Sequence, residues 1–227
     1  MLENFDKWCF TYPHPMPSAS WNDRAALVLP YRWPGHLPIT ISFLDDDDGL
    51  AQQVEQVARQ WIGVRRANLR FAFLFNRNDT QIRISFKRKG SWSMLGTSCT
   101  QNRNLTEPTM NFGWLNARAS PEEFEAVVLH EFGHALGLVH EHQNPMNSIQ
   151  WNRQEVYRDL DGQWDRATIE NNVFAAVAAA GAAATPFDAT SVMTYPIKKS
   201  WTTNGFSCHL NAKLSPTDVQ FIRNIYP

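Results

Sequence analysis

The chain has 227 residues, of which 43% are hydrophobic, so it can bury a core as one large domain or as two small lobes. Its 21 basic and 22 acidic residues give a formal net charge of -1, which provides no electrostatic reason to expect nucleic acid or an anionic membrane as a partner. The longest weakly polar run, residues 174–184, is mostly alanine and falls short of the roughly 20 apolar residues that a membrane span needs. We therefore expect no membrane span.

The N-terminal residues are rich in proline, serine and tryptophan without a period, which is typical of an irregular extension. They contain no basic segment followed by an apolar one, so no signal peptide is visible in this chain. Three cysteines permit at most one disulfide and neither require nor exclude an oxidising compartment.

The spacing of apolar residues predicts the elements of the first half of the chain. Residues 37–44 alternate as in a strand, and the period becomes helical from residue 51. Two further strands are predicted at residues 69–75 and 81–86, and the strand-helix-strand order favours parallel strands. Residues 109–113, TMNFG, indicate a short further strand that we expect at an edge of the sheet.

The second half of the chain has few strand signals. Ser120, followed by proline and two glutamates, begins a helix, and Asn152 and Ser215 precede two more. We predict a mixed α/β fold with an upper α/β lobe and an irregular, partly helical lower lobe. The histidine-rich segment, residues 130–142, then lies at the junction of the lobes, where ligand sites are common.

This segment, HEFGHALGLVHEH, holds four of the seven histidines. His130 and His134 are four residues apart, so on a helix their rings share one face, about 6 Å apart along the axis. Gly137 can take a positive φ, end the helix and turn the chain, which brings His140 back as a third ligand. A lone histidine on a helix is usually a packing residue, but five fixed positions in this pattern favour a metal site.

Three neutral imidazoles suit one zinc ion and leave its fourth tetrahedral position for water, as in a catalytic site. Glu131 adjoins the first ligand and is placed to take a proton from that water. The ion lowers the pKa of the water to about 7 and polarises a substrate carbonyl. The segment therefore predicts amide hydrolysis by a metal-activated water, with Glu131 as general base.

The pattern His-Glu-x-x-His-x-x-Gly-x-x-His resembles that of the metzincin superfamily of zinc peptidases, which place a methionine turn beneath the metal. The sequence SVMTYP, residues 191–196, supplies such a turn. The resemblance implies that Met193 supports the floor of the site structurally. It also implies that Tyr195 is a fifth zinc ligand that swings away to stabilise the oxyanion of the transition state.

Within this superfamily the chain is most similar to astacin, because Glu141 directly follows the third histidine. Residues 33–38, 91–96 and 214–227 look like the family's opening strand, its cysteine-tryptophan loop and its C-terminal helix. The resemblance implies a two-lobe zincin fold with a twisted, mainly parallel sheet and two upper helices. It covers residues 25–227 as a catalytic domain and leaves residues 1–24 as an extension and possible pro-segment. Three cysteines cannot form the family's usual two disulfides.

Four further residues, one beside the motif and three near the N-terminus, have roles that the sequence leaves open. Prosegments of this family commonly hold the enzyme latent, so Cys9 or Asp23 is a candidate cap for the zinc, although neither lies in a recognisable motif and we favour a structural role for each. His142 is expected to be a surface neighbour of the site and not a ligand. Ala25 resembles the family's mature start, so trimming after Arg24 is expected to alter activity.

The prediction is a secreted, monomeric zinc endopeptidase that binds a polypeptide along an edge strand near residues 109–113. Two alternatives remain open: an exported effector protease with a narrow substrate, and a non-catalytic zinc-containing peptide-binding module. The intact Glu131 argues against the binding module, which has no need of a base.

Overall fold

A five-stranded sheet forms the centre of the upper lobe. The computed structural model describes Cys9 and residues 31–75, 77–116, 118–144, 146–175 and 186–227. The strands are β1 (Ile39–Phe43), β2 (Phe71–Phe73), β3 (Ile82–Ser85), β4 (Ser91–Ser93) and β5 (Met110–Phe112), in the spatial order β2-β1-β3-β5-β4. Neighbouring strands are parallel except for β4, which is antiparallel to β5. The predicted mainly parallel sheet is therefore confirmed.

The prediction that residues 109–113 form the edge is wrong. Strand β5 lies inside the sheet between β3 and β4, and β4 forms the edge. The sequence of β4, a tryptophan between two serines, is too short and too polar to show a strand pattern. Strand β4 is placed at the edge by its pairing with β5, for example of Ser93 with Met110, a contact beyond the range of a local sequence pattern.

Two long helices, α1 (Asp48–Ile62) and α2 (Pro121–Ala135), pack against each other beside the sheet. Helix α1 begins where the Asp47 side chain accepts a hydrogen bond from the Leu50 amide, and its apolar residues are buried at helical spacing. The Trp61 indole donates to the Leu129 carbonyl at 3.0 Å, which fixes α1 against the middle of α2.

The lower lobe consists mainly of loops and short helices. It contains α3 (Arg153–Leu160), α4 (Arg166–Ile169) and a π-helical turn at Glu170–Phe174, whereas the last helix, α5 (Pro216–Ile225), packs into the upper core. Asn152 and Ser215 cap α3 and α5 as predicted. Most of the alanine-rich stretch, residues 176–185, lies outside the described residues, as do residues 1–8 and 10–30, including Asp23.

Two separate clusters of buried side chains match the two predicted lobes. The upper cluster includes Trp61, Phe132 and Met193, and the lower cluster includes Leu160, Tyr195 and others. All three cysteines are free and buried, so the described structure is held without disulfides. In the described part of the chain, no helix combines the length and the apolar character needed to cross a membrane.

Candidate metal centre

Helix α2 provides the rigid base of the site. Ser120 and Glu123 form a reciprocal capping box at its start, and Pro121 occupies its first turn. Its second half is buried, and it presents His130, Glu131 and His134 within the protein. The rings of the two histidines have centroids 4.8 Å apart, as expected for positions four residues apart on one helical face.

A glycine turn at the end of α2 brings the third histidine back to the first two. Gly137 has a φ of 94°, its amide donates to the His134 carbonyl, and the Leu138 amide donates to the Gly133 carbonyl. These two bonds form a Schellman motif, which ends a helix in a left-handed glycine. His140 follows, and its ring centroid lies 4.6 Å from that of His134.

Backbone carbonyls fix the orientation of two of the imidazoles. His130 Nδ1 lies 2.7 Å from the Val192 carbonyl oxygen, and His134 Nδ1 lies 2.8 Å from that of Leu138. A carbonyl oxygen only accepts hydrogen bonds, so each Nδ1 carries the proton and each Nε2 keeps a lone pair. This arrangement, in which the outer nitrogen bonds a carbonyl, is the usual support of metal-binding histidines.

The free nitrogens converge on one buried point. One ligand atom from each of Cys9, His130, His134 and His140 lies within 4.8 Å of the others. The Nε2 atoms of His134 and His140 are 3.1 Å apart, and His130 Nε2 is buried without a hydrogen-bond partner among the described residues. Three imidazoles and a thiol form a donor set that zinc binds tetrahedrally, so these residues fit the ion.

Burial keeps the imidazoles of the pocket in their neutral form. Burial lowers the pKa of His130 to about 4 and that of His134 to about 3, so both rings are neutral near pH 7 and can act as ligands. Burial also raises the pKa of Glu131 well above its usual value. Its Oε2 accepts a long hydrogen bond of 3.6 Å from the Cys9 thiol, while Oε1 is buried without a partner among the described residues.

The methionine turn, residues 191–195, contacts the histidine cluster through the Val192 carbonyl, which lies 2.7 Å from His130 Nδ1. The Asp218 carboxylate of α5 accepts hydrogen bonds from the Ser191 hydroxyl at 2.6 Å and the Val192 amide at 3.1 Å. The Glu141 amide donates to the Met193 carbonyl at 2.9 Å, so the turn is also bonded to the residue after the third histidine. Asp218 therefore sets the position of the carbonyl that orients His130.

The Glu141 side chain is the second link between the histidine segment and the lower lobe. Its Oε1 accepts hydrogen bonds from the Asn144 side chain at 2.9 Å and from the Asp188 amide at 3.1 Å. Burial raises the pKa of Glu141 to about 7, against the opposing effect of the hydrogen bonds from Asn144 and the Asp188 amide. The carboxyl lies away from the cluster of ligand atoms and joins three loops.

Tyr195 lies beside the cluster with its hydroxyl already engaged. The hydroxyl donates to the Cys9 backbone carbonyl at 2.5 Å, and the ring centroid is 4.4 Å from that of His140. Burial raises the pKa of the phenol well above its usual value, so it stays a hydrogen-bond donor. Cys9 also pairs in parallel with Ser91 of the edge strand β4.

Four residues at the site were missed or misjudged from the sequence. Cys9, for which a structural role was favoured, places its sulfur among the histidines. His142 is buried, so its prediction as a surface neighbour is wrong, whereas its prediction as a residue that is not a ligand stays a prediction. Asp218 gave no signal beyond its place in the α5 cap. Gly133 did give a sequence signal, because a glycine inside a helix costs about 1 kcal/mol and often marks a position where another group packs closely against the backbone.

Known proteins resemble this chain in sequence and in fold. The sequence model of the astacin peptidase family matches residues 31–218. Two solved structures of myroilysin are similar: one is 38% identical with a TM-score of 0.82, covering 88% of this chain and 98% of that chain. The other is 36% identical with a TM-score of 0.69, covering 97% of this chain and 91% of that chain. A search of curated proteins gives no significant match.

The sheet, the two lobes and the buried histidine cluster define a metallohydrolase of the metzincin class. The family match spans most of the chain, so the chain belongs to the astacin family and is a zinc metalloendopeptidase. The resemblance inferred from the sequence is confirmed.

The packing of Gly133 gives a testable prediction. A Cβ at this position would lie 2.3 Å from Met193 Sδ and 3.3 Å from Trp61 Cζ2, so Gly133→Ala must displace the methionine. We expect the free energy of unfolding to fall by about 1–3 kcal/mol, as for an overpacked core, and zinc affinity to fall with it. Urea unfolding of the metal-free protein and competition with a zinc chelator measure the two effects.

Gly49→Ala in α1 is the matched control, because a Cβ there would make only an ordinary van der Waals contact, 3.8 Å from Asp47 Oδ1. Equal stability and zinc affinity in the two alanine variants would show that Met193 does not need the space at Gly133.

Proposed function

We propose that His130, His134 and His140 hold the zinc ion and that Glu131 is the general base of peptide-bond hydrolysis. The observation that supports this most strongly is the convergence of the three buried imidazoles next to a carboxyl group, one oxygen of which has no hydrogen-bond partner among the described residues. When bound, zinc supplies a Lewis acid for the carbonyl and lowers the pKa of a water molecule to about 7.

The protein groups move the protons. Glu131 accepts a proton from the attacking water and returns it to the leaving amine, which a carboxyl group with a raised pKa suits. Tyr195 donates its hydroxyl hydrogen bond to the oxygen that becomes negative in the transition state. The hydroxyl already donates to a backbone carbonyl, that of Cys9, which is the same kind of acceptor that a peptide substrate presents. Met193 and Glu141 have structural roles: the Glu141 amide donates to the Met193 carbonyl and so joins the methionine turn to the third histidine.

We further propose that residues 1–24 are a pro-segment, residues 25–227 are the catalytic domain, and Cys9 keeps the enzyme latent. Cys9 contacts each group that the reaction needs: its thiol lies among the histidines and donates to Glu131, and its carbonyl accepts from Tyr195. Its pairing with Ser91 also covers part of the edge strand β4. A substrate requires the same contacts, so the segment and a substrate exclude each other.

The remaining parts of the proposal are a polypeptide substrate bound along β4, secretion, and action as a monomer. All ligand atoms of the cluster come from one chain, so the site does not require a second copy. A pro-segment that keeps the enzyme inactive during synthesis suits a protease that acts outside the cell. An exported effector with a narrow substrate has the same chemistry and differs only in the range of proteins that it cuts.

The role of Glu131 is tested with casein as substrate. In the full chain carrying Cys9→Ser, we expect Glu131→Gln to reduce casein hydrolysis by about 10²–10⁴-fold, because the amide cannot accept the proton. Zinc content, measured on the same samples, should be unchanged. Glu122→Gln, on the exposed surface of the same helix, is the matched control. Casein cleavage that survives Glu131→Gln at equal zinc content would contradict the assignment.

The role of Cys9 is tested in the full chain without other changes. We expect Cys9→Ser to raise casein hydrolysis by more than about tenfold, because a tethered ligand competes at a high effective concentration. Cys208→Ser, which removes another buried thiol, should leave the activity as it was. N-terminal sequencing of active wild-type protein is expected to begin at Ala25. Active protein with an intact Met1 would refute the latency proposal.

A further inference from the structure

His142 is a buried histidine to which the proposed reaction gives no role. It lies two residues after His140, its exposed fraction is 1%, and its ligand atoms are not in the metal cluster. Its ring stacks on that of Tyr195, with centroids 4.4 Å apart and planes 27° apart. It also stacks on the His140 ring at 5.1 Å and 23°. The centroid of the Tyr195 ring also lies 4.4 Å from that of the His140 ring and 6.0 Å from that of the His130 ring, so the tyrosine contacts three imidazoles, of which His142 and His140 are the nearest.

One hydrogen bond fixes the His142 ring in its plane. Its Nε2 lies 2.8 Å from the Asn172 carbonyl oxygen, so Nε2 carries the proton. Its Nδ1 is buried without a hydrogen-bond partner among the described residues. The edge of the Trp151 ring meets the same imidazole at a centroid distance of 6.3 Å and an angle of 85°. The ring is thus held by one directional bond and by aromatic contacts.

The partner carbonyl belongs to the π-helical turn, Glu170–Phe174. In this turn the Ala175 amide donates to the Glu170 carbonyl, five residues earlier. The Asn171 carbonyl accepts a second bond, from the Gln143 side chain at 2.7 Å. The turn therefore binds two consecutive residues of the histidine segment, His142 and Gln143, through two consecutive carbonyls.

We propose that His142 is the positioning residue for Tyr195. The inference rests on the proposed role of Tyr195 as a donor to the oxyanion. While Cys9 is in place, its carbonyl holds the tyrosine hydroxyl. Once the segment leaves, that bond is lost, and the stacked His142 ring keeps the phenol beside His140. The hydrogen bond to the Asn172 carbonyl fixes the plane of the His142 ring. A ring without an N–H donor, such as phenylalanine, stacks on Tyr195 but is not held in this plane.

A double-mutant cycle tests the inference in the full chain carrying Cys9→Ser. We expect Tyr195→Phe to lower kcat for a peptide substrate by about 10²-fold, as for loss of one oxyanion donor. His142→Ala should lower kcat by at least about tenfold with a smaller change in KM, and the double variant should be within about twofold of Tyr195→Phe alone. His142→Phe, which keeps a ring but loses the bond to Asn172, should be intermediate. His36→Ala, at an exposed histidine, is the control.

The outcomes separate the inference from the proposed function. Full activity of Tyr195→Phe would refute the role of Tyr195 and with it the inference. Loss in Tyr195→Phe but not in the His142 variants would refute the inference alone. Multiplicative losses in the double variant would also refute it, because the two residues would then act independently. A fall in zinc content that accounts for the lost activity would refute it as well, because His142 would then act through the metal ligands.

A second measurement does not depend on activity. The chain has five tyrosines, so ¹³C labelling of their rings gives few NMR signals, and Tyr195→Phe identifies the signal of Tyr195. In the zinc-loaded full chain we expect His142→Ala to shift this signal, because the stacked ring and its ring current are gone, while His36→Ala leaves it in place. An unchanged Tyr195 signal in His142→Ala would overturn the inference.

Discussion

The site depends on the direction of three imidazole rings. Two of them are fixed because Nδ1 donates to a backbone carbonyl, of Val192 for His130 and of Leu138 for His134. The second carbonyl belongs to the turn that Gly137 permits, so the structure that ends α2 also orients the His134 ring. These two carbonyls fix the tautomer of each ring and direct its Nε2 toward the shared buried point.

The methionine turn connects the two lobes to these rings. Met193 belongs to the upper core and Tyr195 to the lower one, so the turn passes between the two clusters. Asp218 of α5 holds the start of the turn, and the Glu141 amide holds the Met193 carbonyl. A change in the packing of either lobe is therefore transmitted to the three histidines through hydrogen bonds of the turn. The free, buried cysteines show that this arrangement relies on packing and hydrogen bonds.

Local patterns in the sequence predicted much of this structure. Apolar spacing predicted β1, α1 and β3, capping residues predicted the starts of α2, α3 and α5, and the histidine spacing predicted the cluster. Contacts between distant segments were beyond these patterns. The edge position of β4, the stacking of His142 on Tyr195 and the place of Cys9 beside Glu131 all join residues separated by long stretches of chain. A three-residue strand and single residues such as Cys9 and His142 are too short to show a periodic pattern.

X-ray absorption at the zinc edge tests the coordination most directly, using the full chain loaded with one equivalent of zinc. The account predicts three imidazole nitrogens at about 2.0–2.1 Å and one sulfur at about 2.3 Å. In Cys9→Ser the sulfur should disappear while the three imidazoles remain. A first shell with fewer than three imidazoles in either protein, or without sulfur in the full chain, would contradict the proposed metal centre.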